Sequence, residues 1–232
     1  ALLLTLCLTP LAAIIFVSAC TSDDRPEILT RVEIAPPPQI AAQSNQNIEN
    51  PTLVVANNFA KSSDKQTLVW SDEFNGAELD PSVWFFETGD GSQYGIPGWG
   101  NNELEYYLPD NAQLVNGNLV ITAREELVAP YQYTSARINT RDRFAFKYGR
   151  IEARMRLPGG QGIWPAFWML AQDSPYGTWA ASGEIDIMEA VNLGGTGGNF
   201  VLGTLHYGGE FPANVFSGRE YLVPQDATAE FH

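Results

Sequence analysis

The chain has 232 residues, of which 27 are acidic and 13 are basic, so its formal net charge is −14. Hydrophobic residues make up 44%, which is enough for a packed core, and the length allows one large domain or two small ones. The acidic balance argues against a nucleic-acid partner, because binding to phosphates requires a basic surface. Two His and two Cys also leave few ligands for a zinc site.

The first 20 residues carry no charge and are mostly apolar. An apolar run that ends in small residues before Cys20 is typical of an export signal, and a lone transmembrane anchor is the competing interpretation. Residues 17–20 (VSAC) resemble a bacterial lipoprotein box, which implies that Cys20 is lipidated and becomes the mature N-terminus. We therefore expect an exported protein, either secreted or lipid-anchored to the bacterial cell envelope at the outer membrane or cell surface. Because export signals begin with basic residues and Arg25 is the first one here, we expect the natural start to lie upstream.

Residues 21–65 have the composition of a spacer. They contain three consecutive prolines at 36–38 and a run rich in Gln, Asn and Ser without apolar periodicity. This pattern predicts a flexible tether between residues 1–20 and a domain over residues 66–232. The alternative is a first strand around Leu53-Val54-Val55.

Residues 66–232 carry the signals of an all-β domain. Asn116-Gly117 separates two short apolar runs, which predicts a hairpin. Apolar and charged residues alternate over 151–157, so that one face of a strand is buried and the other is wet. No stretch in this range has a helical period of three turns, and Gly and Pro recur about every ten residues. The pattern favours a sandwich of antiparallel sheets.

The most informative stretch is residues 184–189 (EIDIME), where three carboxylates alternate with Ile and Met. On a strand, Glu184 and Asp186 point to one face, and a one-residue bulge near Met188 would bring Glu189 to that face as well. A helix would scatter the three acids, because residues two apart differ by about 200°.

Three crowded carboxyls can divide their protonation states, which is what a retaining glycosidase needs. One carboxylate attacks the sugar while a neighbouring acid protonates the leaving oxygen. We expect Asp186 to support both partners, through its charge on Glu189 and through a hydrogen bond to Glu184. The alternatives are an ordinary charged strand face and a calcium site, although Ile and Met between the acids are unlike a calcium loop.

Aromatic residues surround the acids in sequence. Trp164, Trp168 and Trp179 precede Glu184 within 20 residues, and Trp99 precedes the polar run Asn101-Asn102-Glu103. Indole faces stack on sugar rings and amides bind hydroxyls, which supports a carbohydrate site. Core packing is the alternative role of each Trp.

Residues 184–189 resemble the signature of family 16 glycoside hydrolases, in the bulged form typical of laminarinase-like endo-β-1,3-glucanases. Six further motifs match in chain order over about residues 66–232. They are residues 70–74 (WSDEF), 99–107 (WGNNELEYY), 134–137 (TSAR), 148–152 (YGRIE), 162–168 (GIWPAFW) and 206–208 (HYG).

The resemblance implies an all-β, antiparallel β-sandwich, a concanavalin-like jelly roll, with a concave substrate cleft. It implies that Glu184 is the nucleophile, Asp186 the supporting acid and Glu189 the general acid/base. It also implies a set of residues that line the cleft: Trp99, Asn102, Arg137, Trp164, Trp168, Trp179 and His206. No cofactor is expected for catalysis, but some relatives carry a structural calcium, for which Glu73 and the Gly117 carbonyl are candidate ligands.

The resemblance predicts a monomeric endo-glycosidase that acts on β-1,3-glucan or mixed-linkage β-glucan by double displacement. The alternatives are a galactanase of the same family, similar to agarases or carrageenases, a non-catalytic glucan-binding protein, and a structural surface lipoprotein. Two features depart from the family pattern. Glu105 stands where relatives often carry Gln, and the chain stops at Phe231-His232, after which we expect further strands.

Overall fold

The computed structural model describes residues 68–223 and 226–232, and the backbone of three strands before them. In this part of the chain strands dominate, with three short 3₁₀ helices at Ser92–Tyr94, Pro97–Gly100 and Pro109–Asn111, and no α-helix. The strands are β1 (Leu11–Ala19), β2 (Thr30–Ile34), β3 (Leu53–Val54), β4 (Leu68–Trp70), β5 (Phe85–Glu87), β6 (Glu105–Tyr107), β7 (Ala112–Leu114), β8 (Leu119–Val128), β9 (Tyr131–Ser135), β10 (Arg137–Asn139), β11 (Met155–Arg156), β12 (Ile163–Ala171), β13 (Glu184–Glu189), β14 (Phe200–Tyr207) and β15 (Val215–Leu222).

Two large sheets make up the fold. One has seven strands in the order β15-β14-β13-β12-β1-β10-β5, and the other has the order β11-β2-β8-β9-β6, with β7 paired to β8. A small third sheet joins β3 and β4. All pairings between named strands are antiparallel except that of β6 with β9. The all-β, antiparallel prediction is confirmed.

One buried cluster contains residues from both large sheets, as expected of a sandwich. Leu119 and Ile121 of β8 belong to it, and so do Ile163 and Phe167 of β12. Because side chains alternate along a strand, the intervening residues of β12 face away from this core. Their face of the seven-stranded sheet carries the candidate site.

The predicted hairpin at Asn116-Gly117 is confirmed. β7 and β8 pair antiparallel, and Val115 and Asn118 exchange backbone hydrogen bonds of 2.9 and 3.1 Å across the turn. Asn116 and Gly117 have φ values of 52° and 71°, which is the left-handed pair that a type I′ turn requires.

The alternating segment 151–157 turns its apolar residues toward the core as predicted, but the strand within it is shorter than the alternation. Met155 and Leu157 are buried, while the guanidinium groups of Arg154 and Arg156 lie 4.8 and 5.6 Å from the ring centroid of Phe231. Only residues 155–156 are paired as a named strand. The alternation therefore reports which face is buried, while strand pairing depends on the neighbouring backbone.

Three strands are described before residue 66, β1 within the predicted signal segment and β2 and β3 within the predicted tether. β1 lies between β10 and β12, and β2 lies between β8 and β11. The alternative of a first strand near Leu53 agrees with β3, which pairs with β4. An apolar segment rich in β-branched residues suits a central strand as well as an export signal. The division into signal segment, tether and catalytic domain stays a prediction.

Within the described residues, no helix is long and apolar enough to span a membrane.

Candidate active site

The three acids of β13 share one face of the sheet because a β-bulge interrupts the strand. Two consecutive residues of β12 stand opposite Asp186 and Met188, so Ile187 is the extra residue. Ile187 and Met188 are neighbours in sequence, yet both pack against the core. The extra residue returns Glu189 to the face of Glu184 and Asp186. The predicted bulge is confirmed, one residue before Met188.

Glu184 and Asp186 form a hydrogen-bonded pair of carboxyls. Burial, followed by the charges of Glu184 and Glu189, raises the pKa of Asp186 to about 9. Burial also raises the pKa of Glu184, while hydrogen bonds from Trp179 and Asp186 oppose that rise. Asp186 is therefore the protonated partner at neutral pH and donates to the Glu184 carboxylate. Asp186 therefore acts on Glu184 through this hydrogen bond. The expected effect of an Asp186 charge on Glu189 requires ionised Asp186, which a pKa of about 9 disfavours at neutral pH.

An indole holds each of the two outer carboxyls. Trp179 Nε1 donates a hydrogen bond to Glu184 Oε2. Trp164 Nε1 donates to Glu189 Oε1 over 2.9 Å. Burial raises the pKa of Glu189, and the hydrogen bond from Trp164 opposes the rise. Glu189 thus ionises at a higher pH than a solvated Glu does, which suits a group that must give up and take back a proton.

His206 faces the acids from the next strand. It is the cross-strand partner of Glu184, and its Nε2 lies 3.2 Å from Asp186 Oδ2. Burial lowers the pKa of His206, so it is neutral at neutral pH. Asp186 Oδ2 and His206 Nδ1 are buried without a hydrogen-bond partner among the described residues. The close pair is thus a contact between two neutral groups, without hydrogen-bond alignment.

Arg137 lies between two indoles beside the site, on the face of the sheet that carries the acids. Its guanidinium carbon is 4.5 Å from the ring centroid of Trp99 and 4.7 Å from that of Trp168, and it pairs with Glu87. All three members of this stack are buried, with 5% of Trp99 and 6% of Arg137 exposed. The guanidinium covers one face of the Trp99 indole and one face of the Trp168 indole. The sequence predicted that these residues line the cleft. Their burial favours a role in holding the neighbouring side chains in place, and contact between them and a sugar stays a prediction.

An open aromatic surface, formed by Trp179, His206, Phe211 and Phe216, borders the acids. The Trp179 ring lies 5.4 Å from His206 and 6.4 Å from Phe211, and His206 lies 5.9 Å from Phe216. Phe211 is 73% exposed and Phe216 is 72% exposed. Phe216 pairs with His206 across β14 and β15, so it faces the same side as Glu184.

The sequence predicted Trp179 and His206 but missed the two phenylalanines. Both follow His206 within ten residues, a proximity that could have identified them. Asn102, also predicted to bind substrate, is exposed in the turn after Trp99, with a left-handed φ of 58°.

The remaining predicted residues concern a metal and a lipid. Glu73 Oε1 is buried without a hydrogen-bond partner in the described part of the chain, and burial followed by the Asp72 charge raises the Glu73 pKa. Such an oxygen fits a hard cation. Among the described residues no three His, Cys, Asp or Glu side chains could hold a metal, so a site at Glu73 and Gly117 would depend on backbone carbonyls. It stays a prediction, and Cys20 lies outside the described residues.

Comparison with known proteins gives a family model and several curated relatives. A family model described as "Beta-glucan synthesis-associated protein SKN1/KRE6/Sbg1" matches residues 1–185. Glucan endo-1,3-beta-glucosidase A1 of Niallia circulans is 42% identical over 205 residues, which are 84% of this chain and 29% of that protein. The Beta-glucanase of Rhodothermus marinus is 46% identical over 145 residues, which are 60% of this chain and 48% of that protein.

A solved structure agrees with these matches. The laminarinase catalytic domain of Thermotoga maritima superimposes with a TM-score of 0.65 at 46% identity, over 72% of this chain and 67% of that one. The present chain thus spans less than half the length of the two curated relatives named here.

A two-sheet antiparallel sandwich that carries a bulged strand with three acids on its outer face defines a laminarinase-like protein of the family 16 glycoside hydrolase type. The chain belongs to the family described as Beta-glucan synthesis-associated protein SKN1/KRE6/Sbg1.

Proposed function

We propose that the protein is a retaining endo-glycosidase that hydrolyses β-1,3-glucan or mixed-linkage β-glucan by double displacement. The observation that carries the proposal is geometric: a bulged strand brings three acids to one face, and an indole donates a hydrogen bond to each of the two outer carboxyls. Asp186 is protonated and donates to Glu184, and Glu189 has a raised pKa and its own indole donor. A carboxylate beside an acid of raised pKa is the pair that a retaining glycosidase requires.

In the first step the Glu184 carboxylate attacks the anomeric carbon. The bond from that carbon to the glycosidic oxygen breaks, and Glu189 transfers its proton to the departing oxygen. The products are a glycosyl ester on Glu184 and a shortened glucan with a new hydroxyl. Asp186 and Trp179 hold Glu184 by hydrogen bonds, so that its carboxylate is oriented before attack.

In the second step Glu189, now a carboxylate, removes a proton from water. The water oxygen bonds to the anomeric carbon as the ester bond to Glu184 breaks, and the product keeps the β configuration. The hydrogen bond from Asp186 strengthens as charge returns to Glu184, which stabilises the departing carboxylate. Two inversions therefore give net retention.

The relatives' names support a β-glucan as the substrate, since they are a glucan endo-1,3-beta-glucosidase and a beta-glucanase. The net charge of −14 disfavours sulfated galactans, the substrates of carrageenase-type rivals. A screen of the full-length protein should include laminarin, lichenan, agarose, carrageenan and xyloglucan, with the products sized. We expect oligosaccharides from laminarin or lichenan. Activity on agarose alone would contradict the substrate assignment.

We also propose that the protein is exported and lipid-anchored at Cys20, and that it works as a monomer. The VSAC sequence at 17–20 supports the anchor. Palmitate labelling in a bacterial host should be lost in Cys20→Ala and retained in Cys7→Ala, which is a matched control because Cys7 lies within the predicted signal. Labelling that survives Cys20→Ala would contradict the anchor.

The proposed mechanism needs no metal, and we propose calcium only as a structural ion at Glu73. Its buried, unpartnered oxygen supports this role. Added calcium should raise the melting temperature of the wild type and have a smaller effect on Glu73→Gln. Equal responses of the two proteins would exclude Glu73 as a ligand.

A further inference from the structure

Two loops meet at the edge of the site, on the side of Glu184. The Trp179 loop, residues 172–183, precedes β13, and the hairpin loop, residues 208–214, joins β14 to β15. The hairpin loop lies beside the acids, because His206 precedes it closely and pairs with Glu184 across the two strands. Thr178 N donates a hydrogen bond of 2.7 Å to Glu210 Oε1, so a carboxylate of the hairpin loop binds the backbone of the Trp179 loop.

Both loops are shaped for this contact. The Glu210 carbonyl accepts a hydrogen bond of 2.7 Å from Ala213 N, which closes a turn and fixes the backbone of Glu210. A Cβ atom at Gly177 would lie 2.5 Å from Glu210 Oε1, so only glycine leaves room for the carboxylate in this position. Gly177 also has a φ of 118°, in the region that favours glycine. The Trp179 loop therefore receives the Glu210 side chain closely.

The Trp179 loop is held together by bonds of its own. The Ser182 hydroxyl donates to the Gly177 carbonyl over 2.8 Å, and Ala181 N donates to the Thr178 carbonyl over 2.8 Å. These bonds link the two ends of the segment that contains Trp179. A contact that fixes Thr178 therefore also restricts the backbone of Trp179, the next residue.

Trp179 depends on such contacts more than a core indole does. It is 41% exposed, whereas Trp99 and Trp168 are 5% and 6% exposed, so burial does less to fix its position. The hairpin loop supplies a second bond beside the first, since Phe211 N donates to the Trp179 carbonyl over 3.0 Å. Glu210 and Phe211 together hold the backbone that carries the indole.

We propose that Glu210 is a positioning residue that holds the Trp179 loop against the hairpin loop. It thereby fixes the indole whose Nε1 donates a hydrogen bond to Glu184 Oε2. This role rests on the proposed function, because it concerns the orientation of the nucleophile before attack. Without the Glu210 carboxylate, Thr178 N loses its acceptor, and the indole lies less often within hydrogen-bond distance of Glu184.

The pH profile of kcat/KM on laminarin separates positioning from a simple effect of charge. The hydrogen bond from Trp179 lowers the pKa of Glu184, so a displaced indole should raise that pKa and move the acidic limb upward. Loss of a nearby negative charge would instead lower the pKa of Glu184 and move the acidic limb downward. Substitution of Glu210 leaves in place the other groups that act on Glu184 or face it, which are Asp186, Glu189, Arg137 and His206.

In the full-length protein, Glu210→Ala should move the acidic limb upward by up to about one unit. Glu210→Gln loses the charge but keeps an Oε1 acceptor, so it should leave the limb in place. The double variant of Glu210→Ala and Trp179→Phe should shift the limb no further than Trp179→Phe alone, because both changes remove one hydrogen bond. Glu220→Ala is the control for loss of an exposed carboxylate on β15, and it should leave the limb unmoved.

The opposite results are equally clear. An acidic limb that stays in place or moves downward in Glu210→Ala would overturn the proposal. So would a shift in Glu210→Gln as large as that in Glu210→Ala, or additive shifts in the double variant. Glu210 is exposed, so the melting temperatures of its variants should stay close to that of the wild type.

A second readout does not require activity. In proton–nitrogen NMR spectra, the indole N–H signal of Trp179 is identified by its loss in Trp179→Phe. A hydrogen bond to a carboxylate moves this signal downfield, so it should move upfield in Glu210→Ala and keep its wild-type position in Glu210→Gln. An unchanged signal in Glu210→Ala would overturn the positioning role. A protein inactive on every glucan would refute the proposed function instead, and the NMR signal would still decide the role of Glu210.

Discussion

Replacing Trp164 by Phe tests the assignment of Glu189 as the proton donor. The substitution keeps an aromatic ring but removes the N–H group that donates to Glu189 Oε1 over 2.9 Å. That hydrogen bond stabilises the ionised carboxylate and lowers its pKa. Without it the pKa of Glu189 must rise, so the acid stays protonated to a higher pH.

The size of the effect follows from the hydrogen bond. A bond to a charged group contributes about 1.5 to 3 kcal/mol, and one pKa unit corresponds to about 1.4 kcal/mol. The full shift would be about one to two units, and partial exposure of the pair favours the lower value, about one unit. The alkaline limb of kcat/KM should move upward by this amount, because the general acid must be protonated.

The assay is the pH profile of kcat/KM on laminarin for the wild type, Trp164→Phe and Trp179→Phe. Trp179→Phe is a matched control, because it removes the indole donor of Glu184 instead. Glu184 must be ionised, so this variant should move the acidic limb upward and leave the alkaline limb in place. An alkaline limb that does not move in Trp164→Phe, or that moves in Trp179→Phe, would refute the assignment.

Three further predictions concern other parts of the site. Asp186→Asn keeps a donor toward Glu184 and should lose less kcat than Asp186→Ala. The wild-type melting temperature should decline as the pH rises toward the folded-state pKa of Asp186, about 9, because the protonated carboxyl stabilises the fold only below that pH. Asp186→Asn should lack this decline. Arg137→Met leaves Glu87 buried without its cation and should lower the free energy of unfolding by about 3 to 5 kcal/mol in urea melts. Phe211→Ala and Phe216→Ala should raise KM for laminarin about two- to tenfold. Their melting temperatures should stay unchanged, because both rings are exposed. An unchanged KM would show that the open aromatic surface does not contact the substrate.

The sequence predicted the features that depend on local pattern. Asn116-Gly117 adopts the left-handed pair that its hairpin needs, and the spacing of Glu184, Asp186 and Glu189 required a bulge, which lies at Ile187. In both places the local sequence pattern and the backbone pairing favour the same arrangement. Such features can be inferred from a few neighbouring residues.

Features that depend on distant contacts were not predicted. The neutral state of Asp186 arises from burial together with two other acids, and no local pattern reports that depth. The burial of Trp99 against Arg137 depends on contacts between segments about 40 residues apart, so an exposed sugar-stacking indole was an equally reasonable expectation. The pairing of Leu11–Ala19 with β10 and β12 also depends on distant contacts, because an apolar run fits a signal and a central strand alike.

The central claim is that Glu184 attacks the sugar while Glu189 exchanges the proton. The measurement that tests it most directly is proton NMR of the anomeric signal after azide rescue, with an activated aryl glucoside substrate. In Glu184→Ala, azide should attack the sugar directly and give an α-glycosyl azide. In Glu189→Ala, the ester on Glu184 still forms, and azide displaces it to give a β-glycosyl azide. Reversed anomers would contradict the two roles, and release of the α-anomer by the wild type would contradict the retaining mechanism.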